Sequence, residues 1–245
     1  MISKAHTKYI QSLHHKKFRD AEQVFIAEGS KVVMDLLKSG SFYCDQIIGL
    51  ADCLHQLEVN IRKYYTGPLL VVETFELDKI SALQSSNQIL AIFKKSAQPI
   101  IDPKNKISLL LDTIQDPGNM GTIIRIADWF GIQNIICAED CVDMYNPKVV
   151  QSTMGSLGNV KILYTDPVNW LQKNGTIKAY AAALEGKNIT TIKGITEGVI
   201  VIGNEAKGIS SAVMDLCEEK ITIQKIGLAE SLNAAVATGI ILSHL

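Results

Sequence analysis

No stretch of this 245-residue chain is long and apolar enough to cross a bilayer. The longest apolar run, residues 234–242, is interrupted by Thr238 and Gly239. The first eleven residues carry Lys4, His6 and Lys8 and have no apolar core of a secretory leader, so a cytoplasmic protein without a membrane partner is the expectation. Cysteine is scarce and unpatterned. Cys44, Cys53, Cys137, Cys141 and Cys217 contain no Cys-x-x-Cys pair, and no histidine lies near Cys137 and Cys141, so no metal is expected and the thiols read as small core residues. An excess of one charge is also missing: 24 Lys and Arg stand against 25 Asp and Glu, which argues against a protein that coats nucleic acid non-specifically. No Gly-x-Gly-x-x-Gly follows any expected strand. Gly203-x-x-x-x-Gly208 continues with Ile209-Ser210 rather than Lys-Ser, so nothing there would neutralise the phosphates of a nucleoside triphosphate.

What is present is an ordinary globular composition, 47% hydrophobic and 20% charged, able to bury a core. Charge is local rather than global. The first twenty residues hold Lys4, Lys8, Lys16, Lys17 and Arg19 against Asp20 alone, which reads either as a phosphate-contacting surface or as a solvated helix face.

Short apolar runs alternate with helical patterns throughout. Strands are expected at residues 24–27, 46–50, 69–72 and 89–94, with helices at 30–38, 54–64 and 77–83. The polar, Pro-containing passage 99–106 reads as a linker between domains at 1–98 and 107–245. Beyond it, strands at 107–111, 134–137, 161–164, 179–184, 199–202 and 220–223 alternate with helices at 122–130, 147–157 and 231–245, predicting an α/β fold on a mostly parallel sheet. The body of the last helix, residues 234–242, has no charge on any face. Its own chain or a second subunit is expected to wrap it.

Three strands of the second half run straight into loops rich in Gly, Asn and carboxylates, and ligands in such sheets bind at the carboxyl ends of strands. In the first loop, 112–125, Pro117-Gly118 reads as a turn and Asn119 as the cap of a helix starting near Gly121. Arg125 follows, either a surface ion-pair partner or a functional cation. In the second, Gly203 to Gly208, the glycines make a turn, which leaves Glu205 without a structural reason. In the third, 223–233, Ser231 or Asn233 is available to cap the final helix.

With these loops in view, the chain resembles the SpoU/TrmH family of RNA ribose 2′-O-methyltransferases, of the SPOUT superfamily. Asn119-x-Gly121-x-x-x-Arg125 is similar to the family's first motif, Gly203-x-Glu205-x-x-Gly208 to its second, and Ile223 through Ser231-Leu232-Asn233 to its third. Phe25-Ile-Ala-Glu28-Gly29 with Val32 and Val33, and later Gln88-Ile-Leu-Ala-Ile, are similar to the small substrate-binding domain N-terminal in many members. The resemblance implies an α/β trefoil-knot methyltransferase domain behind a smaller α/β RNA-binding domain, a homodimer, and S-adenosyl-L-methionine as cofactor. It implies methyl transfer to a ribose 2′-hydroxyl of structured RNA. Ribosomal RNA is favoured over transfer RNA because the extra domain resembles those of ribosomal-RNA members.

By the same resemblance, backbone atoms of Gly203, Ile223 and Leu232 would hold the cofactor, while Arg125, Glu205, Asn119, Ser231 and Asn233 stand at functional positions. A guanidinium stays protonated in proteins, so Arg125 is expected to clamp an RNA phosphate rather than act as base. Glu205 would brace Arg125 or Asn119, and Ser231 and Asn233 would orient the ribose or cap the knot loop. Three positions depart from the family pattern: Gln224 where Pro is usual, Gln151 where Arg is common and Thr153 where Ser is. The rival readings are a non-catalytic RNA-binding protein that retains the fold, and a nucleotide-dependent α/β enzyme, against which the missing Lys argues.

Overall fold

The computed structural model describes residues 2–83, 87–192, 194–204 and 206–245. The chain divides into two compact units, Met1–Ala97 with Asp143–Asn159, and Gln98–Val142 with Val160–Leu245.

The first unit runs α1 (Lys4–Ser12), α2 (Lys16–Glu22), β1 (Val24–Glu28), α3 (Ser30–Ser39), β2 (Cys44–Gly49), α4 (Ala51–Ile61), β3 (Leu69–Val71), α5 (Thr74–Ile80) and β4 (Ile89–Lys94). Its sheet has the order β1-β4-β2-β3, with β2 and β3 parallel and the other pairs antiparallel. Strand alternation sorts the side chains. Val24, Ile26, Ile48, Leu90 and Ile92 face a core closed by Ile10 and Leu13 of the N-terminal helical region and by Leu77 and Ile80. Phe25 and Phe93 point the other way, their rings stacked at 5.6 Å, and Tyr145 of the returning segment lies 4.8 Å from Phe25.

That returning segment is fastened by a buried ion pair. Arg19, 2% exposed, donates from Nη2 to Asp143 Oδ2 at 2.7 Å and from Nη1 to the carbonyls of Leu13 and His14. The segment carries α7 (Pro147–Thr153), which stops four residues before the expected residue 157 because Met154 and Gly155 both take left-handed backbone.

The second unit holds β5 (Ile107–Leu111), α6 (Pro117–Trp129), β6 (Asn134–Cys137), β7 (Lys161–Tyr164), α8 (Pro167–Lys173), β8 (Ala179–Asn188), β9 (Gly198–Ile202), α9 (Ser211–Met214), β10 (Glu219–Thr222) and α10 (Ala234–Leu242). Its six described strands are parallel in the order β10-β8-β9-β5-β6-β7, in keeping with the apolar runs Leu109–Leu111, Ile135–Cys137 and Val199–Ile202 expected of strands covered on both faces. The chain lays down β5, β6 and β7 in one direction, then returns to place β9 on the other side of β5. The order therefore reverses between β5 and β9, the position where open parallel sheets bind ligands. β10 lies at the far edge beyond β8, yet α10 packs along α6, with Gly239 against Ile126. Residues 223–233 must therefore cross back over the carboxyl ends of β8 and β9.

α6 starts earlier than expected. Its cap is Asp116, whose Oδ1 accepts from the Asn119 N–H at 2.8 Å, and Pro117 is its first residue rather than part of a preceding turn. α10 is shorter than the expected 231–245, because Asn233 caps it and Ser243 closes it. Its apolar face is not fully wrapped within the chain: Val236 is 51% exposed, and Ala237 and Ile240 are half-buried.

Removing one partner of a buried ion pair leaves the other charge dehydrated and unpaired. Asp143→Ala should therefore destabilise the protein by about 3–5 kcal/mol in denaturant unfolding, and a loss below about 1 kcal/mol would mean that the pair behaves as an exposed one.

Candidate functional site

Parallel strands end on one side of a sheet, and here the loops after β5 and β9 meet over adjacent strand ends, Leu111 pairing with Ile202. The residue that joins them is Asp112. Its side chain is buried, and Oδ2 accepts from the backbone N–H of Ser210 at 2.7 Å, while its own N–H continues the ladder to the Ile202 carbonyl. The next residue, Thr113, has φ of 62°, a left-handed backbone that a β-branched residue rarely adopts. Its carbonyl is held by Asn204 Nδ2 at 2.9 Å and its hydroxyl donates to Asp140 Oδ2 at 2.9 Å. Beneath it Cys141 donates to the Leu111 carbonyl and accepts from the Ile114 N–H; burial pushes the neighbouring Cys137 thiol well above its ordinary range.

The loop after β9 is a tight hairpin. Asn204 and Gly208 exchange backbone hydrogen bonds, and Asn204 Oδ1 accepts from the N–H groups of Ala206 and Lys207. A Cβ at Gly203 would stand 2.3 Å from the Gly208 carbonyl carbon, so only glycine fits there, and Gly208 itself has φ of 70°. Glu205 lies outside the described residues.

The first and third motifs meet through two amides. Asn233 Oδ1 caps α10 by accepting from the N–H groups of Ala235 and Val236, which fixes its amide orientation. Its Nδ2 then donates to Asn119 Oδ1 at 2.8 Å, on the first turn of α6. Of the two candidates for that cap, Asn233 fills the role; Ser231 is exposed and makes no hydrogen bond to another described residue. Arg125 projects from α6 on an exposed stripe with Thr122 and Trp129, and pairs with no carboxylate among the described residues. The structure thus joins Asn119 to Asn233, and leaves Arg125 and Ser231 open to solvent.

Between β10 and α10, residues 224–232 form neither helix nor strand, and none of their N–H groups donates to a backbone carbonyl of another described residue. At its start Gln224 Oε1 accepts from Asn188 Nδ2 at 3.1 Å. Ile223 is half-buried. Ile226 and Leu228 are almost fully exposed and Leu232 is about half so. Uncommitted backbone donors and acceptors beside apolar side chains are what a purine ring and its exocyclic amine require, so the segment suits an adenosyl group. Among the described residues no cluster of His, Cys, Asp or Glu is placed to hold a metal ion.

Sequence reasoning missed Asp112, Thr113 and Asn204 as parts of this site. For Asp112 a signal existed, a carboxylate directly at the end of an apolar strand. The strained Thr113 left none.

Comparison with known proteins gives a consistent neighbourhood. Residues 106–243 match the model of the SpoU rRNA methylase family, and residues 4–91 that of the MRM3-like substrate binding domain. The chain is 28% identical over 239 residues to the 23S rRNA (guanosine(2553)-2′-O)-methyltransferase RlmP of Bacillus subtilis, covering 96% of this chain and 93% of that protein. Among solved structures, a TrmH-family protein from Porphyromonas gingivalis superposes with TM-score 0.87 at 34% identity, covering 100% of this chain and 98% of its own. The AdoMet-bound rRNA methyltransferase from Sinorhizobium meliloti gives 0.88 at 28% identity, covering 100% and 95%.

The amide geometry yields a graded expectation. Asn233→Ala removes both the cap and the inter-loop bond and should cost about 1–2 kcal/mol, whereas Asn119→Leu keeps the cap and should cost less. Thermal unfolding of the two variants measures the order, and an Asn119→Leu loss as large as that of Asn233→Ala would contradict it.

Proposed function

Because this chain belongs to the SpoU rRNA methylase family, we propose that it transfers the methyl group of S-adenosyl-L-methionine to a ribose 2′-hydroxyl of ribosomal RNA. The observation that carries the reading is the meeting of three strand-end loops, tied by Asp112 to Ser210 and by Asn119 to Asn233, under a segment whose backbone is uncommitted. The sulfonium supplies an already electrophilic methyl, so the protein's task is alignment. Holding reactants in attack geometry is worth up to roughly 7–11 kcal/mol.

In this reading Gly203, Ile223 and Leu232 hold the cofactor through backbone atoms. Arg125, free of any carboxylate partner among the described residues, holds an RNA phosphate beside the reacting ribose. It remains a cation throughout, so the 2′-hydroxyl proton leaves to phosphate or water. Glu205 braces Arg125 or Asn119. Asn233 fixes the loop and Ser231 contacts the ribose. Gln224, tethered to Asn188, does the work of shaping the loop that a proline does elsewhere in the family.

The same reading includes a C-terminal trefoil knot, supported by the path of residues 223–233 back across the sheet. It also includes a homodimer, supported by Trp129 at 83% exposure on α6 and by the open face of α10 around Val236. Residues 1–98 serve as the RNA-binding domain, 99–106 as linker and 107–245 as the methyltransferase domain, working in the cytoplasm where ribosomes are made.

Arg125→Ala should lower kcat for methyl transfer by about 10²–10³-fold and leave calorimetric binding of S-adenosyl-L-methionine intact. Loss of cofactor binding would make Arg125 structural. A wild-type protein that binds RNA but no S-adenosyl-L-methionine would establish the non-catalytic alternative.

A further inference from the structure

The first unit contains a cavity of about 480 Å³ between the start of α1 and the edge of its sheet where β2 and β3 begin. Its apolar lining includes Ile2 and Leu70, and one wall is braced by Tyr65, whose hydroxyl is shared between the carbonyls of Asp45 and Pro68 at 3.3 and 3.2 Å. Three polar side chains line it with nothing to bind. His6 Nε2 is shielded from solvent and has no hydrogen-bond partner. The Asp45 carboxylate and the Gln46 amide make no hydrogen bond or ion pair with another described residue. Asp45 and Gln46 are half-buried and His6 Nε2 is the shielded atom of the three; a buried polar atom without a partner is rare in native proteins and calls for a ligand or an ordered water.

The chemistry of the lining narrows the ligand. A carboxylate accepts hydrogen bonds only, and it repels phosphate, so Asp45 selects a group that offers N–H donors. Flat rings suit an apolar floor, and unpaired RNA bases are read through their Watson–Crick edges in such pockets. Guanine is the base whose edge offers two adjacent donors, N1–H and the N2 amine, matching the two carboxylate oxygens. Its O6 follows on the same edge as an acceptor for the His6 Nε2–H once that ring, whose Nε2 is shielded from solvent, turns toward the cavity. Lys4, which directly follows the cavity residue Ser3, and Lys8 are exposed on α1, where they can meet the phosphates flanking a captured base.

We propose that this cavity captures an unpaired guanine of the substrate RNA, with Asp45 and His6 reading its edge. The proposal rests on the reading of the chain as an RNA methyltransferase. It adds a base-specific contact on a unit separate from the one that holds the methyl-transfer motifs.

The test uses the full-length protein in two arms. In the first, methyl resonances of Ile2 and Leu70 are followed by NMR while guanosine 5′-monophosphate or adenosine 5′-monophosphate is added. Guanosine monophosphate should shift them saturably, adenosine monophosphate should bind at least roughly tenfold more weakly, and the isosteric Asp45→Asn should erase that preference, as expected for one bidentate base contact. Equal response to both nucleotides, or none to either, overturns the proposal.

In the second arm, methyl transfer is measured on ribosomal RNA from cells lacking the protein. Asp45→Asn and His6→Ala should raise KM about tenfold with kcat unchanged, unfolding temperatures being checked in parallel. Loss of guanosine monophosphate binding with KM unchanged would mean that the cavity takes a free nucleotide, which overturns the RNA assignment. Binding of S-adenosyl-L-methionine to the same samples separates the two readings, since a protein that takes the cofactor but ignores guanine refutes the cavity alone.

Discussion

A carboxylate removed from water must be satisfied by the protein, and Asp112 meets that demand with the backbone of Ser210, ninety-eight residues further along the chain. This bond fixes the loop after β5 against the loop after β9 at the point where strand order reverses. Once those two loops are in register, Thr113 is held in its left-handed conformation by Asn204 and Asp140, α6 starts at a defined place, and Asn119 is presented to Asn233. The proposed methyl-transfer site is thus a set of strand ends held by polar contacts over an apolar parallel sheet. The sheet supplies rigidity and the side-chain amides and carboxylates supply position.

Much of this was legible in the sequence because the sheet is parallel and buried. Runs such as those of β5 and β9 have no polar alternation, so the strands stand out, and the loops that follow them are rich in Asn, Gly and carboxylates. Helix starts were read unevenly, correctly at Pro147 but not at Pro117 or Pro167. Asp116-Pro117, Asn146-Pro147 and Asp166-Pro167 each begin a helix, with the acidic or amide side chain accepting from a backbone N–H two or three residues on. Pro117-Gly118 read as a turn because proline followed by glycine favours one, whereas proline tolerates the first turn of a helix, where its missing N–H costs nothing. α8, which begins at Asp166-Pro167 with no glycine after the proline, went unassigned. The helices α1 and α2 went unassigned because each buries a single residue, Ile10 and Arg19, too few for an apolar stripe to emerge.

What sequence patterns do not carry is which distant groups meet. The pairing of Arg19 with Asp143 spans 124 residues and brings the segment around α7 into the first unit, although in chain order it falls between β6 and β7. No local periodicity marks such a return. The unpartnered His6 and Asp45 are likewise invisible until the sheet edge forms beside α1.

The crossing of residues 223–233 over finished strand ends has a consequence for biosynthesis. The bond that anchors it, Asn233 to Asn119, joins positions 114 residues apart and forms after the 98-residue link of Ser210 to Asp112, since its later partner leaves the ribosome later. The sheet and both earlier loops can assemble during translation, but the pocket waits for the last helix to emerge and dock. Every strand beneath the crossing segment is therefore in place before that segment closes over their ends.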